Sequence, residues 1–220
     1  MSDKKNHSSL QIFPKWANHV PALIGLVFLL IISFVIFVFW YWFSPKNLNV
    51  GYQPEQPIPF SHRKHAGELG MDCRYCHGGQ GHIQVPNTDT CMNCHHMIKT
   101  DSPHIKKIQE SYATDTPIPW VRIHALPDYV YFNHSRHINS GVSCVTCHGR
   151  IDKMEVVRQV QPLSMGWCLE CHREPEKYLR PVEHVTQLDW EPKGDQLELG
   201  KLLKEKYDVN PKEYCSTCHR

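Results

Sequence analysis

Five short runs of one form limit what this chain can fold into: Cys73-Arg74-Tyr75-Cys76-His77, Cys91-Met92-Asn93-Cys94-His95, Cys144-Val145-Thr146-Cys147-His148, Cys168-Leu169-Glu170-Cys171-His172 and Cys215-Ser216-Thr217-Cys218-His219. Two cysteines, two spacers and an adjacent histidine form the attachment signature of a c-type haem. The ten thiols of these runs are expected to bond to porphyrin. His77, His95, His148, His172 and His219 are expected to reach the iron from the proximal side. The rival reading of paired cysteines is a zinc ribbon or a disulfide framework. All ten cysteines fall inside the five runs, so none is left to bridge elsewhere. With 16 histidines in 220 residues, chance would place one after all five pairs about twice in a million. Five covalently bound haem c groups are therefore the expected cofactors.

Length then decides the architecture. Beyond residue 44 about 35 residues remain for each haem, too few for a domain apiece. The haems must themselves form the core, with polypeptide wrapped round them. Sixteen prolines and twelve glycines suit a loop-rich wrap. The expected fold class is mostly α and loop: one N-terminal transmembrane helix and a small multihaem cytochrome c domain. The formal charge of +2 overstates basicity, because each haem brings two propionates. No basic stripe stands out, which argues against a nucleic-acid partner.

The run from Val20 to Phe43 is 24 residues without a charge, long enough to cross a bilayer as a helix. Trp40, Tyr41 and Trp42 cluster at its end, as interfacial aromatics do. Pro21 sits near its start, where a missing N–H does little harm. A signal peptide's apolar region is usually about 7–15 residues and ends at small residues. This run is longer and ends in bulky aromatics, so an uncleaved anchor in membrane lipid is expected. Lys4, Lys5 and Lys15 precede it and favour a cytoplasmic N-terminus. Covalent haem attachment in bacteria belongs to the other side. The expected layout is a cytoplasmic segment 1–19, a transmembrane helix 20–43, a linker 44–59 and a periplasmic pentahaem domain 60–220. The expected location is the bacterial inner membrane.

The domain contains a repeat. FSHRKHAGELGMDCRYCHG begins at Phe60, and FNHSRHINSGVSCVTCHG begins at Phe132. Each places Phe-x-His-x-x-His a short loop before a haem motif. Each is followed by a further motif, 18 residues on in the first copy and 24 in the second. The reading is two two-haem modules, 60–125 and 126–190, with a fifth haem at the C-terminus. Two helices can be placed. Ser102-Pro103 offers a start for one with Ile105, Ile108 and Tyr112 on a face. Asp195 with Glu198 resembles a capping box ahead of Leu199, Leu202, Leu203 and Tyr207, and Asn210-Pro211 ends that helix. No pattern for an extended sheet is present.

Haem chemistry is decided at the sixth ligand. Eleven histidines remain: His7, His19, His62, His65, His82, His96, His104, His124, His134, His137 and His184. His7 and His19 lie before or at the edge of the span. The repeat singles out His62, His65, His134 and His137 as distal ligands. His124, eight residues ahead of Phe132, is the choice for the fifth. His184, His96, His104 and His82 are weaker, and a lone loop histidine is usually just solvated. Methionine is the other distal ligand, and it raises the reduction potential. Met154 and Met165 lie between the third and fourth motifs, and Met97 stands two residues beyond His95. Ordinary packing is the commoner use of such methionines. The expected pattern is mostly bis-His, with at most one or two His/Met haems.

Phe132-Asn133-His134-Ser135-Arg136-His137 before a haem motif resembles the class III multihaem cytochromes c. That resemblance implies that the first histidine of each pair ligates the haem just downstream. His62 would serve the haem of His77, and His134 that of His148. His65 and His137 would cross to other haems and staple the modules together. Nearly the whole chain also resembles the membrane-anchored pentahaem cytochrome c subunits of alternative complex III. The strings that carry this are IFPKWAN, FSHRKH, TCMNCH, PIPWVRIHALPDYVYFNHSRH, GRIDKMEVV, SMGWCLECHR, PEKYLRP and CSTCHR. It implies a quinol-oxidising respiratory complex, with a membrane-integral quinol-oxidising subunit among the partners. The acceptor would be a cytochrome c or a terminal oxidase.

Three function classes follow. The first is an electron-relay subunit, not itself an enzyme, in such a complex. The second is a stand-alone membrane-anchored quinol dehydrogenase feeding a periplasmic reductase. Met97 fits that type poorly, because there the methionine belongs at the first haem. The third is an enzyme with a substrate-binding haem. No motif has an unusual proximal ligand, and distal candidates outnumber the haems, which disfavours an open iron. No catalytic residue is expected.

Overall fold

The computed structural model describes residues 13–42, 49–78 and 83–219. They fall into two units, one holding residues 13–42 and the other beginning at 49. Phe43, His7 and His82, named above, lie outside the described residues.

The first unit is a 3-10 turn, Lys15–His19, running into helix α1, Val20–Trp42. At 23 residues α1 is about 34 Å long, enough to cross the hydrocarbon of a bilayer. An 18-residue window within it has a mean hydropathy of 3.2, and none of its residues is buried. Phe37 stacks on Tyr41 one turn later, so the aromatic rings gather at one end.

The second unit is short helices joined by loops. They are α2 Cys73–His77, α3 Thr88–His95, α4 Pro103–Ala113, α5 His134–Asn139, α6 Cys144–His148, α7 Met165–Arg173, α8 Gln196–Lys206 and α9 Cys215–Cys218. A π-helical turn, Arg63–Glu68, precedes α2. No strand occurs among the described residues, only the isolated bridges Val130–His219 and Val142–Leu179. The fold class expected from the sequence is the one observed.

Each of the five haem motifs is a helix or the end of one. Helices of five residues do not persist alone, so caps and packing must hold them. Asp72 accepts from the Arg74 N–H, Ser143 from the Val145 N–H and Ser164 from the Trp167 N–H. These are N-caps of the ordinary kind; Asp72 and Ser143 stand immediately before their motifs, and Ser164 one turn ahead of Cys168.

Conventional core is scarce. The buried hydrophobic residues among those described are Ile58, Ile105, Ile108, Met154, Leu179, Val185, Leu188 and Leu203. Ile58, Ile105 and Ile108 form one cluster, joined by Cys91, Met92, Ile118 and Trp120. Two sequence expectations need correction here. Tyr112 is 51% exposed, because the buried stripe of α4 passes through Ser111 instead, whose hydroxyl donates to the Thr116 carbonyl. Leu202 is 66% exposed, since Gly200 and Leu203 form the inner face of α8 and Leu202 points away. The start of α8 is as read: the Asp195 carboxylate accepts from the Glu198 N–H.

Residues 49–59, expected as linker, are tied to the second unit. Gly51 N–H donates to the Gln159 carbonyl, and Gln159 N–H to that of Tyr52. Gln56 bonds the Val121 backbone in both directions. Prolines made this stretch extended, but extended chain can still pair at its edges.

A close approach fixes α8. A Cβ on Gly200 would run into the Glu176 carbonyl, so α8 lies against the turn Pro175–Lys177 with no room for a methyl group. Glycine inside a helix ordinarily costs about 1 kcal/mol relative to alanine. Gly200→Ala is expected to reverse that sign and destabilise the haem-loaded chain by about 1–3 kcal/mol through overpacking. Gly194→Ala, in open space, should change stability by less than about 0.5 kcal/mol. Thermal unfolding of the two variants checks this.

Candidate haem-iron centres

The repeat has a common geometry in its two copies. Phe60 meets His62 edge-on at 4.9 Å and stacks on His65 at 4.4 Å. Phe132 meets His134 edge-on at 4.7 Å and stacks on His137 at 4.7 Å. The phenylalanine is thus a wedge that sets the angle between two imidazoles. The sequence displayed this residue twice but gave it no role. His65 Nδ1 bonds the Ser61 carbonyl, and His137 Nδ1 bonds the Asn133 carbonyl, each at 2.9 Å. One copy is a π turn and the other an α turn, yet the bond and the wedge are the same. Single π turns are frequent at functional positions.

The four repeat histidines each face a motif histidine. The ring centres lie 6.2 Å apart for His62 and His77, and 6.2 Å for His65 and His95. They lie 6.4 Å apart for His134 and His148, and 6.2 Å for His137 and His172. An iron shared by two coaxial imidazoles puts each nitrogen about 2 Å from the metal and the ring centres about 6.2 Å apart. All four pairs have that spacing. The residues therefore fit an iron held between two histidines. The ring planes of the first pair in each copy are nearly parallel, at 6° and 11°, and those of the second are twisted, at 59° and 41°. The crossing histidines reach the second motif of their own copy, so they join sites within a module rather than one module to the other.

Hydrogen bonding decides which nitrogen is free. A carbonyl can only accept, so a histidine bonded to one through Nδ1 carries its proton there. His77 Nδ1 donates to the Gln84 carbonyl, His95 Nδ1 to that of Ile98 and His172 Nδ1 to that of Lys212. Nε2 is then left with its lone pair, the form that binds a metal. Burial keeps the facing rings neutral as well. Burial, then the neighbours His77 and His65, pushes His62 down to about 4. Burial, then His124, His134, His77 and His62, pushes His148 down to about 3. His134 and His137 are lowered mainly by burial too.

The remaining candidates are placed differently. His124 lies against His148 at 4.4 Å, edge to face, and its Nε2 is buried without a hydrogen-bond partner. It stands beside the third site and is not brought to His219. The ring beside His219 is Tyr129, at 5.8 Å. His184 stacks on Trp190 and bonds Gln187 through Nδ1. His96 Nδ1 bonds the Met92 carbonyl. Met154 is buried beside the first repeat helix, where its carbonyl accepts from the Arg63 N–H. Met165 begins α7 and is 62% exposed. All ten motif cysteines are free of disulfides.

Alanine at His62, His65, His134 or His137 is expected to take one haem per chain out of the low-spin population. His124→Ala and His184→Ala should leave the low-spin count unchanged. Spin-state spectroscopy on the six variants checks this, and a low-spin haem lost with His124 would contradict the placement beside His148.

Two likenesses to known proteins bear on these centres. Residues 130–220 match the family described as cytochrome c7 and related cytochrome c. The chain is also 32% identical over 132 residues to the multiheme cytochrome c subunit of menaquinone reductase from Nitratidesulfovibrio vulgaris. That alignment spans 58% of this chain and 58% of the relative. The matched family region holds three of the motifs, those of His148, His172 and His219, together with His134 and His137. Within the helical, strand-free second unit, residues 130–220 are thus similar to cytochrome c7 and related multihaem cytochromes c.

Proposed function

We propose that this chain is a membrane-anchored pentahaem c-type cytochrome that relays electrons within a quinone-linked respiratory complex. The single observation that carries the reading is the set of four imidazole pairs at iron-spanning distance. A c-type haem supplies one-electron oxidation and reduction, at a potential set by axial ligand, hydrogen bonding and burial. Cys73 and Cys76, Cys91 and Cys94, Cys144 and Cys147, Cys168 and Cys171, and Cys215 and Cys218 would each hold one haem. His62 with His77, His65 with His95, His134 with His148 and His137 with His172 would fill both axial positions of four of them. His219 would be the proximal ligand of the fifth.

A filled pair leaves no vacancy for substrate at those four irons. The Phe60 and Phe132 wedges and the Nδ1 bonds hold the rings in place, so little has to move when charge changes. The α1 helix would anchor the chain in the inner membrane, with residues 1–19 cytoplasmic and the haem unit periplasmic. The resemblance to alternative complex III subunits supports a quinol-oxidising complex, a membrane-integral partner and an outward acceptor, cytochrome or oxidase. The name of the relative favours a second reading, electron flow toward menaquinone instead of from quinol. The residues would serve either direction, because a relay with filled axial sites has no inherent polarity.

The purified chain should contain five covalent haems by its alkaline pyridine spectrum and keep its N-terminal helix by mass spectrometry. Quinol added to the isolated chain should leave the haems oxidised, whereas quinol added to the intact membrane complex should reduce them. A lone helix has no enclosed cleft between helices in which to bind a quinone. Fast reduction of the isolated chain would favour the stand-alone quinol dehydrogenase.

A further inference from the structure

We infer that the five haem motifs stand in the spatial order second, first, third, fourth, fifth, so that the relay begins and ends at motifs two and five. The inference rests on the reading that every motif carries a haem. Sequence order would instead put the first motif at an end and the second inside.

The links are specific. Motifs one and two meet where the Asn93 side-chain amide donates to the Tyr75 hydroxyl at 3.2 Å, both residues lying between the cysteines of their motifs. One short turn also serves both sites, His62 facing His77 and His65 facing His95. Motifs one and three meet across two consecutive residues. The Thr186 hydroxyl donates to the carboxylate of Asp72, the cap of α2, at 2.8 Å. The Val185 carbonyl accepts from the hydroxyl of Ser143, the cap of α6, at 2.7 Å, and from the Cys144 N–H at 3.2 Å. The Cys73 thiol also donates to the Thr186 carbonyl, at 3.9 Å.

Motifs three and four share α5, whose His134 faces His148 and whose His137 faces His172. Motifs four and five are joined by the His172 bond to the Lys212 carbonyl, at 2.9 Å, and the Arg173–Glu213 ion pair, at 3.0 Å. Electrons would therefore enter and leave at motifs two and five, and every electron would cross from motif one to motif three.

The test perturbs one site and counts its neighbours in the detergent-solubilised full chain. Methionine in place of a distal histidine raises the potential of that haem. At a poise where only that haem is reduced, it stops broadening the electron paramagnetic resonance lines of adjacent ferric haems. His62→Met, at site one, is expected to alter the signals of two other haems. His65→Met, at site two, is expected to alter one. The reverse, one for His62→Met and two for His65→Met, is the sequence order and would overturn the inference. Should either variant lose its haem, the unmodified chain gives the same answer. Proton contacts between haem edges in its fully reduced NMR spectrum should join the haem beside Tyr75 to those beside Met92 and Val145. A contact between the haems beside Met92 and Val145, without one from Tyr75 to Val145, overturns the order. The haem count on the same sample separates two failures. Fewer than five overturns the five-site reading, and five with the wrong contacts overturns the order alone.

Discussion

An imidazole that gives its Nδ1 proton to a backbone carbonyl has only Nε2 left to offer. His65, His77, His95, His137 and His172 are all in that state. Each carbonyl is fixed by a turn of chain, so the backbone decides where the lone pair points. The rest of the unit is arranged to keep those turns in place. The motif helices are too short to stand alone, and the apolar residues are too few to build a core around them. What holds the unit is a series of local ties, each placing one ring opposite another.

The sequence revealed the motifs themselves, because a covalent attachment requires fixed spacing and fixed residue types. It also revealed the four facing histidines, because the same spacing occurs twice before a motif. The pairing of His65 with His95 was less visible. It depends on the chain returning through α3 to the start of the first repeat, which no local pattern records. His124 shows the limit of reasoning by elimination. Only its distance along the chain was known, and the loop carries it to His148. Tyr112 and Leu202 failed for a simpler reason: helical periodicity marks a stripe about two residues wide, and burial chooses within it.

The ties between motifs were invisible for a physical reason. Val185 and Thr186 act on Asp72 and Ser143 through one carbonyl and one hydroxyl. Backbone carbonyls have no sequence signature, and a single threonine is unremarkable in a loop. Phe60 and Phe132 were in plain view, but their use needed the ring geometry.

The Val185–Thr186 clasp also has a consequence for timing. It lies downstream of the first four motifs and closes on the caps of the first and third. A chain made from its N-terminus cannot form this clasp until residue 186 has emerged. Until then the first four motifs are strung along an unclosed polypeptide, open to whatever machinery must reach their thiols. Closure is thus placed by the order of synthesis after the first four motifs have emerged. The residues that finish the tertiary structure act as a latch, set at the far end of the segment they secure.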